Sequence, residues 1–280
     1  MLTIASAAIV GIPLFVVAIA TAPVVALLSI PPLFFLVFRI QEDGTQSSTT
    51  LPDQVIIAGG SSGIGLAIAQ ECVARGVPKI TLLARNLTKL QAVQAELQAM
   101  SDTEGGNKHK NNNKKKKSQI DIASVSVADY EAIAKVANDM KIPKTDRVVL
   151  WNCAGFVYPT EFEKVPIAKF EEQVTTNQLG TMYLVRAFLP HLQQGCIVLT
   201  SSVAGQLGVY GYATYAPTKY AIRGFADALH AELIRSHPKL SIQLAFPVDT
   251  DTPGYQLEQK VVPAITKKLS ETGGIVSAEK

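Results

Sequence analysis

Four glycines, Gly59, Gly60, Gly63 and Gly65, crowd the seven residues that follow the apolar run Gln54–Ala58. A short apolar run ended by glycines reads as a buried strand. Directly behind it, the segment from Ile64 to Arg75 has helical spacing, with Gly76 placed to end it. Glycines let a backbone approach a ligand closely, and the free amides at a helix start attract negative charge. Between a strand and a helix, such a cluster reads as a pyrophosphate cradle built from Gly59, Ser61, Ser62, Gly63, Ile64 and Gly65. A tight turn without a ligand is the competing reading.

The same unit then repeats. Apolar runs at Lys79–Ala84, Ile120–Ser124, Arg147–Trp151, Cys196–Ser201 and Ser241–Phe246 alternate with helical patterns at 88–100, 128–140, 167–189 and 213–236. Six strands alternating with helices imply parallel pairing with right-handed crossovers. The expected fold is α/β, a doubly wound parallel sheet of the Rossmann type covering residues 53–280, after a polar linker at 41–52.

Ahead of that linker the chain changes character. From Leu2 to Phe38 there is no charged residue, and Arg39 is the first ionised side chain. A bilayer core takes roughly 20 apolar helical residues to cross. Residues 1–40 are therefore expected to be a membrane anchor of one or two passes, interrupted by Pro13, Pro23, Pro31 and Pro32. A cleaved secretory signal would want a basic start and a shorter apolar run. Arg39 favours a cytosolic side for the domain behind it.

The net charge of +3 comes from one insertion, residues 101–119, which holds six lysines against two acids; without them the balance is −1. The remainder is nearly neutral, so nucleic acid is not an expected partner. The insertion reads as a solvated low-complexity segment, with contact to anionic head groups as the alternative. Cys72, Cys153 and Cys196 lie in apolar stretches with no metal-ligand spacing, and His109, His191, His230 and His237 have none either; no metal is expected.

The second strand bears on the cofactor. A nicotinamide dinucleotide site without a 2′-phosphate ends this strand with an acid for the ribose hydroxyls. Here it ends Leu83-Ala84-Arg85-Asn86, with Lys89 one turn on. A guanidinium fits a phosphate bidentately, and Ser61 adds a hydroxyl. Arg85 and Lys89 thus point to NADPH.

Tyr215 and Lys219 stand four apart in a helical segment and share a face. A nearby ammonium favours a phenolate and would lower the tyrosine pKa toward the working range. Ser202 ends the preceding strand, thirteen residues ahead of Tyr215, and is the candidate for holding a substrate carbonyl; Ser201 is the fallback.

With these residues in place, the chain resembles the short-chain dehydrogenase/reductase family from residue 53 to about 255. Asn152-Cys153-Ala154-Gly155 is similar to that family's Asn-Asn-Ala-Gly, and Asn177 and Pro247 match its relay asparagine and its cofactor-capping proline. The resemblance implies Asn152 and Pro247 as cofactor contacts. It also implies hydride delivery to a ketone, polarisation by Ser202 and protonation by Tyr215. Lys219 would hold the nicotinamide ribose, and Asn177 with water would resupply the proton. It further implies a homodimer through the helices that begin near Ile167 and Ala213.

Within that family, Ala204-Gly205-Gln206-Leu207-Gly208 and Asp249-Thr250-Asp251-Thr252-Pro253-Gly254 resemble the 3-ketodihydrosphingosine reductases. This implies a lipid ketone as substrate and an endoplasmic reticulum membrane location with the catalytic domain toward the cytosol. Other lipid ketones, or a cofactor-binding scaffold without turnover, remain the alternatives. Asp249 and Asp251 have two readings: pairing with a substrate ammonium, or capping their own loop. The family's adenine-contacting aspartate is absent after the third strand, so that contact is either lost or made by Ser124. The family also has a further helix and strand beyond the position of Lys280, so the expectation is either a truncated product or a sheet edge shorter than usual.

Overall fold

The central strand β2 (Gln54–Ala58) is buried along its whole length, as a Val-Ile-Ile-Ala run between two neighbours must be. The computed structural model describes residues 36–39, 51–104 and 117–278. These residues all belong to one compact unit, Phe35–Lys280.

Following β2 come α1 (Gly63–Arg75), β3 (Lys79–Ala84), α2 (Leu87–Glu104), β4 (Gln119–Ser124), α3 (Tyr130–Asp139) and β5 (Arg147–Asn152). The second half contains α4 (Ile167–Gln173), a wide π-type turn (Val174–Leu179), α5 (Gly180–Phe188), β6 (Gln194–Thr200), α6 (Ala216–Ser236) and β7 (Leu240–Phe246). Among the described residues the main sheet begins with β1 (Leu36–Arg39) and runs β1-β7-β6-β5-β2-β3-β4, and every pair from β7 to β4 is parallel. The expected doubly wound sheet is therefore present. Its strand order reverses between β2 and β5, so a crevice opens at their carboxyl ends.

One edge differs from expectation. Strand β1 (Leu36–Arg39), drawn from the end of the uncharged stretch, pairs antiparallel with β7, Leu36 opposite Phe246 and Arg39 opposite Gln243. The sheet edge expected to be short is thus occupied from the amino-terminal side. The rest of the predicted anchor, residues 1–35, lies outside the described residues. Among the described residues no helix is long and apolar enough to cross a membrane.

Two apolar layers clamp the sheet. Ile56, Leu150, Leu184, Phe188, Ile222 and Leu244 belong to the core on one face, and Ile57, Ile68, Leu82, Leu90 and Leu97 to the other. Local signals explain the element ends. Gly76 stops α1 in a left-handed conformation at φ 79°, and Asp129 caps α3 by accepting from Ala132 N at 3.0 Å. Helix α2 continues past the expected Met100 to Glu104. The insertion's ends meet: Ser118 N donates to Ser101 Oγ at 2.8 Å, and Lys117 pairs with Asp102. The insertion's residues 105–116 lie outside the described residues.

Beyond β7 the chain forms β8 (Thr250–Asp251), α7 (Pro253–Glu258), α8 (Ala264–Gly273) and β9 (Val276–Ser277). Strands β8 and β9 pair in parallel, and Val276 N donates to the Asp249 carbonyl at 2.9 Å. Thr266 on α8 donates to the Tyr210 carbonyl at 2.7 Å. These contacts close the segment after β7 into a wall.

Candidate active site

The carboxyl ends of the strands border one large cavity of about 660 Å³. Its floor is the glycine loop. Gly59 has φ 81°, and a Cβ there would meet Ala154 N at 2.8 Å, so the loop after β2 rests directly on the loop after β5. A Cβ on Gly65 would come within 2.4 Å of the Gly59 carbonyl oxygen. Both positions need glycine for the close approach. Ser62 caps α1 in extended conformation with no side-chain bond to the helix, which leaves the first amides of α1 toward the cavity. Gly59, Ser61, Ser62, Gly63, Ile64 and Gly65 all line it.

Arg85 and Asn86 line the same end, and Asn86 Oδ1 accepts from Lys89 N at 2.9 Å. Two further expected residues stand at this end without lining the cavity. Lys89 is exposed and outside the cavity lining, because its position on α2 faces it outward. Ser124 donates to the Arg85 carbonyl at 3.0 Å instead of facing an adenine, and Val125, Ser126 and Val127 supply the lining. Asn152 does not line the cavity either. It is buried, donates to Thr181 Oγ1 at 2.7 Å and accepts from Ala154 N at 3.1 Å, so its amide fixes the loop after β5. Pro247 lines the cavity as expected.

At the other end stand Ser202, Tyr215 and Lys219. Ser202 Oγ accepts from Ala204 N at 3.1 Å and lies within hydrogen-bonding reach of the Tyr215 phenol. Ser201 is buried and donates to the Lys219 carbonyl at 3.0 Å, so its hydroxyl is spent on α6. Of the two, Ser202 is the one placed against the Tyr215 phenol. Lys219 Nζ donates to the Thr200 carbonyl at 3.0 Å and sits over the Tyr215 ring, 5.6 Å from its centroid.

The electrostatics correct one expectation. The Tyr215 phenol is pushed above its ordinary range by burial, with Glu258 and Asp249 adding to the rise; the Ser202 hydrogen bond opposes it. Burial brings Lys219 itself down to about 8. A phenol held high stays protonated at neutral pH and is set up to donate.

Asn177 is buried in the wide turn Val174–Leu179, a form common at functional positions. It accepts from Phe156 N at 3.0 Å and donates to the Phe156 carbonyl at 2.9 Å and to Thr218 Oγ1 at 3.2 Å. A Cβ on Gly155 would lie 3.1 Å from Asn177 Oδ1 and 3.6 Å from Lys219 Nζ, so both groups border one space that glycine leaves open.

Several residues at the site carried no signal in the sequence. Buried Gln173 holds the loop after β5, accepting from Tyr158 N at 3.1 Å, and donates to Thr214 Oγ1 beside Tyr215 at 2.9 Å. Glu258 on α7 lines the cavity near Tyr215 and accepts from the Tyr212 hydroxyl. Asp249 lines it as well, whereas Asp251 is exposed and accepts from Gln256 Nε2 at 3.1 Å, the loop-bracing role.

Residues 53–260 match the model of the short chain dehydrogenase family. The chain belongs to that family. Among curated relatives, the chain is 37% identical over 232 residues to a 3-dehydrosphinganine reductase of Danio rerio. It is 39% identical over 231 residues to a 3-ketodihydrosphingosine reductase of Mus musculus. Each match covers 80% of this chain, and the chain spans 64% of the length of either relative. In fold, the chain is similar to an alcohol dehydrogenase from Thermococcus sibiricus complexed with 5-hydroxy-NADP (TM-score 0.63, 22% identity, 81% and 85% of the two chains covered). It is also similar to a serine dehydrogenase from Escherichia coli (TM-score 0.52, 24% identity, 64% and 76% covered).

Proposed function

We propose that this dehydrogenase reduces the ketone of 3-ketodihydrosphingosine to an alcohol with NADPH. One observation carries the reading: a single cavity joins the glycine loop and Arg85 at one end to Ser202, Tyr215 and Lys219 at the other. The names of the relatives specify the ketone.

The residues present fit the dinucleotide. At Gly59 and Gly65 a side chain would strike neighbouring backbone, so the loop folds tightly ahead of α1, whose first amides are without a capping side chain. Arg85 is the lining cation for a 2′-phosphate, and no acid takes the place that would favour NADH. When bound, the cofactor supplies the hydride. Ser202 holds the ketone oxygen, and Tyr215, protonated at neutral pH, donates a proton to that oxygen as charge develops on it. Lys219 sets the positive field beneath the ring, and Asn177 fixes the loop after β5 around it, with water resupplying the proton.

The uncharged stretch up to Phe38 supports attachment of the protein to a membrane, where a long-chain ketone partitions. An endoplasmic reticulum location with the domain facing the cytosol follows from the same reading. Exposed Ile167 on α4 and exposed Tyr220 and Ile234 on α6 support a homodimer through those helices.

The test is oxidation of NADPH by the full chain, reconstituted in detergent or vesicles, with 3-ketodihydrosphingosine as substrate and Tyr215→Phe alongside. Substrate-dependent oxidation that disappears in Tyr215→Phe supports the reading. No oxidation with this ketone overturns it, and activity on a steroid or acyl ketone instead would favour the other lipid substrates.

A further inference from the structure

We propose that Glu258, assisted by Asp249, forms a cation subsite beside Tyr215 that recognises a primary ammonium carried next to the substrate's ketone. The inference rests on the proposed reading and deepens it. The name 3-ketodihydrosphingosine denotes an amino ketone, and nothing in the shared family chemistry at Ser202, Tyr215 and Lys219 distinguishes an amino ketone from a plain one.

Three observations point to a cation. First, Glu258 and Asp249 both line the cavity on the side of the catalytic phenol, and Asp251, the other acid of that loop, does not. Second, Glu258 is aimed by its neighbours. The Tyr212 hydroxyl donates to its carboxylate, and the Tyr212 ring meets Tyr215 edge-on with centroids 5.7 Å apart. The carboxylate therefore stands one aromatic ring away from the reacting hydroxyl.

Third, no lysine or arginine forms a salt bridge with either carboxylate among the described residues. Of the cations that line the cavity, Lys219 donates to the Thr200 carbonyl, Lys169 pairs with Glu172 at 2.7 Å, and Arg85 stands at the end of the glycine loop. Two half-buried carboxylates facing one cavity repel each other, and burial together with Asp249 pushes Glu258 up to about 7. The same two acids raise Tyr215. A monocation between them would relieve both effects. Leu257, Val261, Val248 and Phe156 line the cavity around this position and offer an apolar path for an alkyl chain.

A purely structural role for the Glu258–Tyr212 pair, tying α7 down, makes a different prediction, and binding separates the two. The full chain, saturated with NADP⁺, is titrated calorimetrically with decylamine and with decanol below their aggregation limits. The wild type is expected to bind the amine at least about tenfold tighter, the scale of one charge-assisted hydrogen bond. Glu258→Gln should bring the ratio close to one, Asp249→Asn should reduce it in part, and Tyr212→Phe should keep most of it. Equal affinity for amine and alcohol in the wild type overturns the proposal. So does a ratio that Glu258→Gln leaves untouched, or one that Tyr212→Phe abolishes as fully as Glu258→Gln. If Glu258→Gln does not fold, the Asp249→Asn ratio decides in its place. A protein that prefers the amine but never reduces the ketone upholds the subsite and overturns the proposed reaction. One that reduces the ketone without amine preference does the reverse.

Discussion

The Lys219 ammonium lies against the face of the Tyr215 ring, 5.6 Å from its centroid, while its own hydrogen bond goes to the Thr200 carbonyl. The two side chains meet through the ring face and a shared face of α6. That arrangement separates two tasks: Tyr215 keeps its proton, and Lys219 keeps its charge only while the pH stays below its lowered pKa.

Activity should accordingly fall as pH rises through about 8, where Lys219 loses its proton. Unfolded lysine titrates near 10.5, so between these values the folded chain holds fewer protons than the unfolded one, and stability should rise with pH while activity drops. Parallel pH profiles of kcat/KM and of urea midpoint check this. Both curves moving in the same direction would contradict it.

Tyr215→Phe should lower kcat by about 10²–10⁴-fold, the range of a lost general acid. It should leave the denaturant midpoint nearly unchanged, because the half-buried ring remains. Stopped-flow measurement of NADPH consumption, beside a urea titration, reads both quantities.

Arg85 is the lining cation at the dinucleotide end. Arg85→Ala should cost NADPH about 10- to 100-fold in apparent affinity, the worth of a charged hydrogen bond, and cost NADH little. Fluorescence titration with each nucleotide gives the ratio directly.

Glu258 is an acid whose folded pKa is raised from 4.5 to about 7. Between those values the folded chain holds the extra proton, so wild-type stability should decline as pH rises from about 4.5 to 7. Glu258→Gln should flatten that decline, and the variant should gain on the wild type by on the order of 1–2 kcal/mol by about pH 8, after a discount for its partial exposure. Denaturation curves at about pH 5 and pH 8 suffice to test it.

A methyl group on Gly65 would stand 2.4 Å from the Gly59 carbonyl oxygen. Gly65→Ala should destabilise the domain by roughly 1–3 kcal/mol, as overpacking does. It should weaken dinucleotide binding more than Gly224→Ala, whose added Cβ meets nothing within 4 Å.

Much of this site was readable from residue order because its chemistry is local. The glycine loop, Arg85 and the Tyr215–Lys219 spacing are each written in a few consecutive residues, and the alternation of apolar runs with helical patterns implied the parallel sheet. What escaped depended on distant parts of the chain meeting. Lys89 and Asn152 have suitable side chains, but helix orientation and a buried hydrogen bond to Thr181 remove them from the cavity. Gln173 and Glu258 look like ordinary helix residues until Tyr158, Thr214 and Tyr212 are placed against them. The tyrosine's elevation was equally hidden, since its burial and the acids that add to it depend on the segment after β7.

The wide turn Val174–Leu179 accommodates one residue more than a regular helix would. Deleting one residue there other than Asn177 would restore ordinary winding and leave α5 with its present face toward the core, because the wide turn absorbs the extra residue locally. The loss would fall on Asn177, whose bonds to Phe156 and Thr218 depend on the widened backbone. Along this stretch the number of codons is as much a part of the inheritance as their identity: a deletion that spared the fold would still take apart the site.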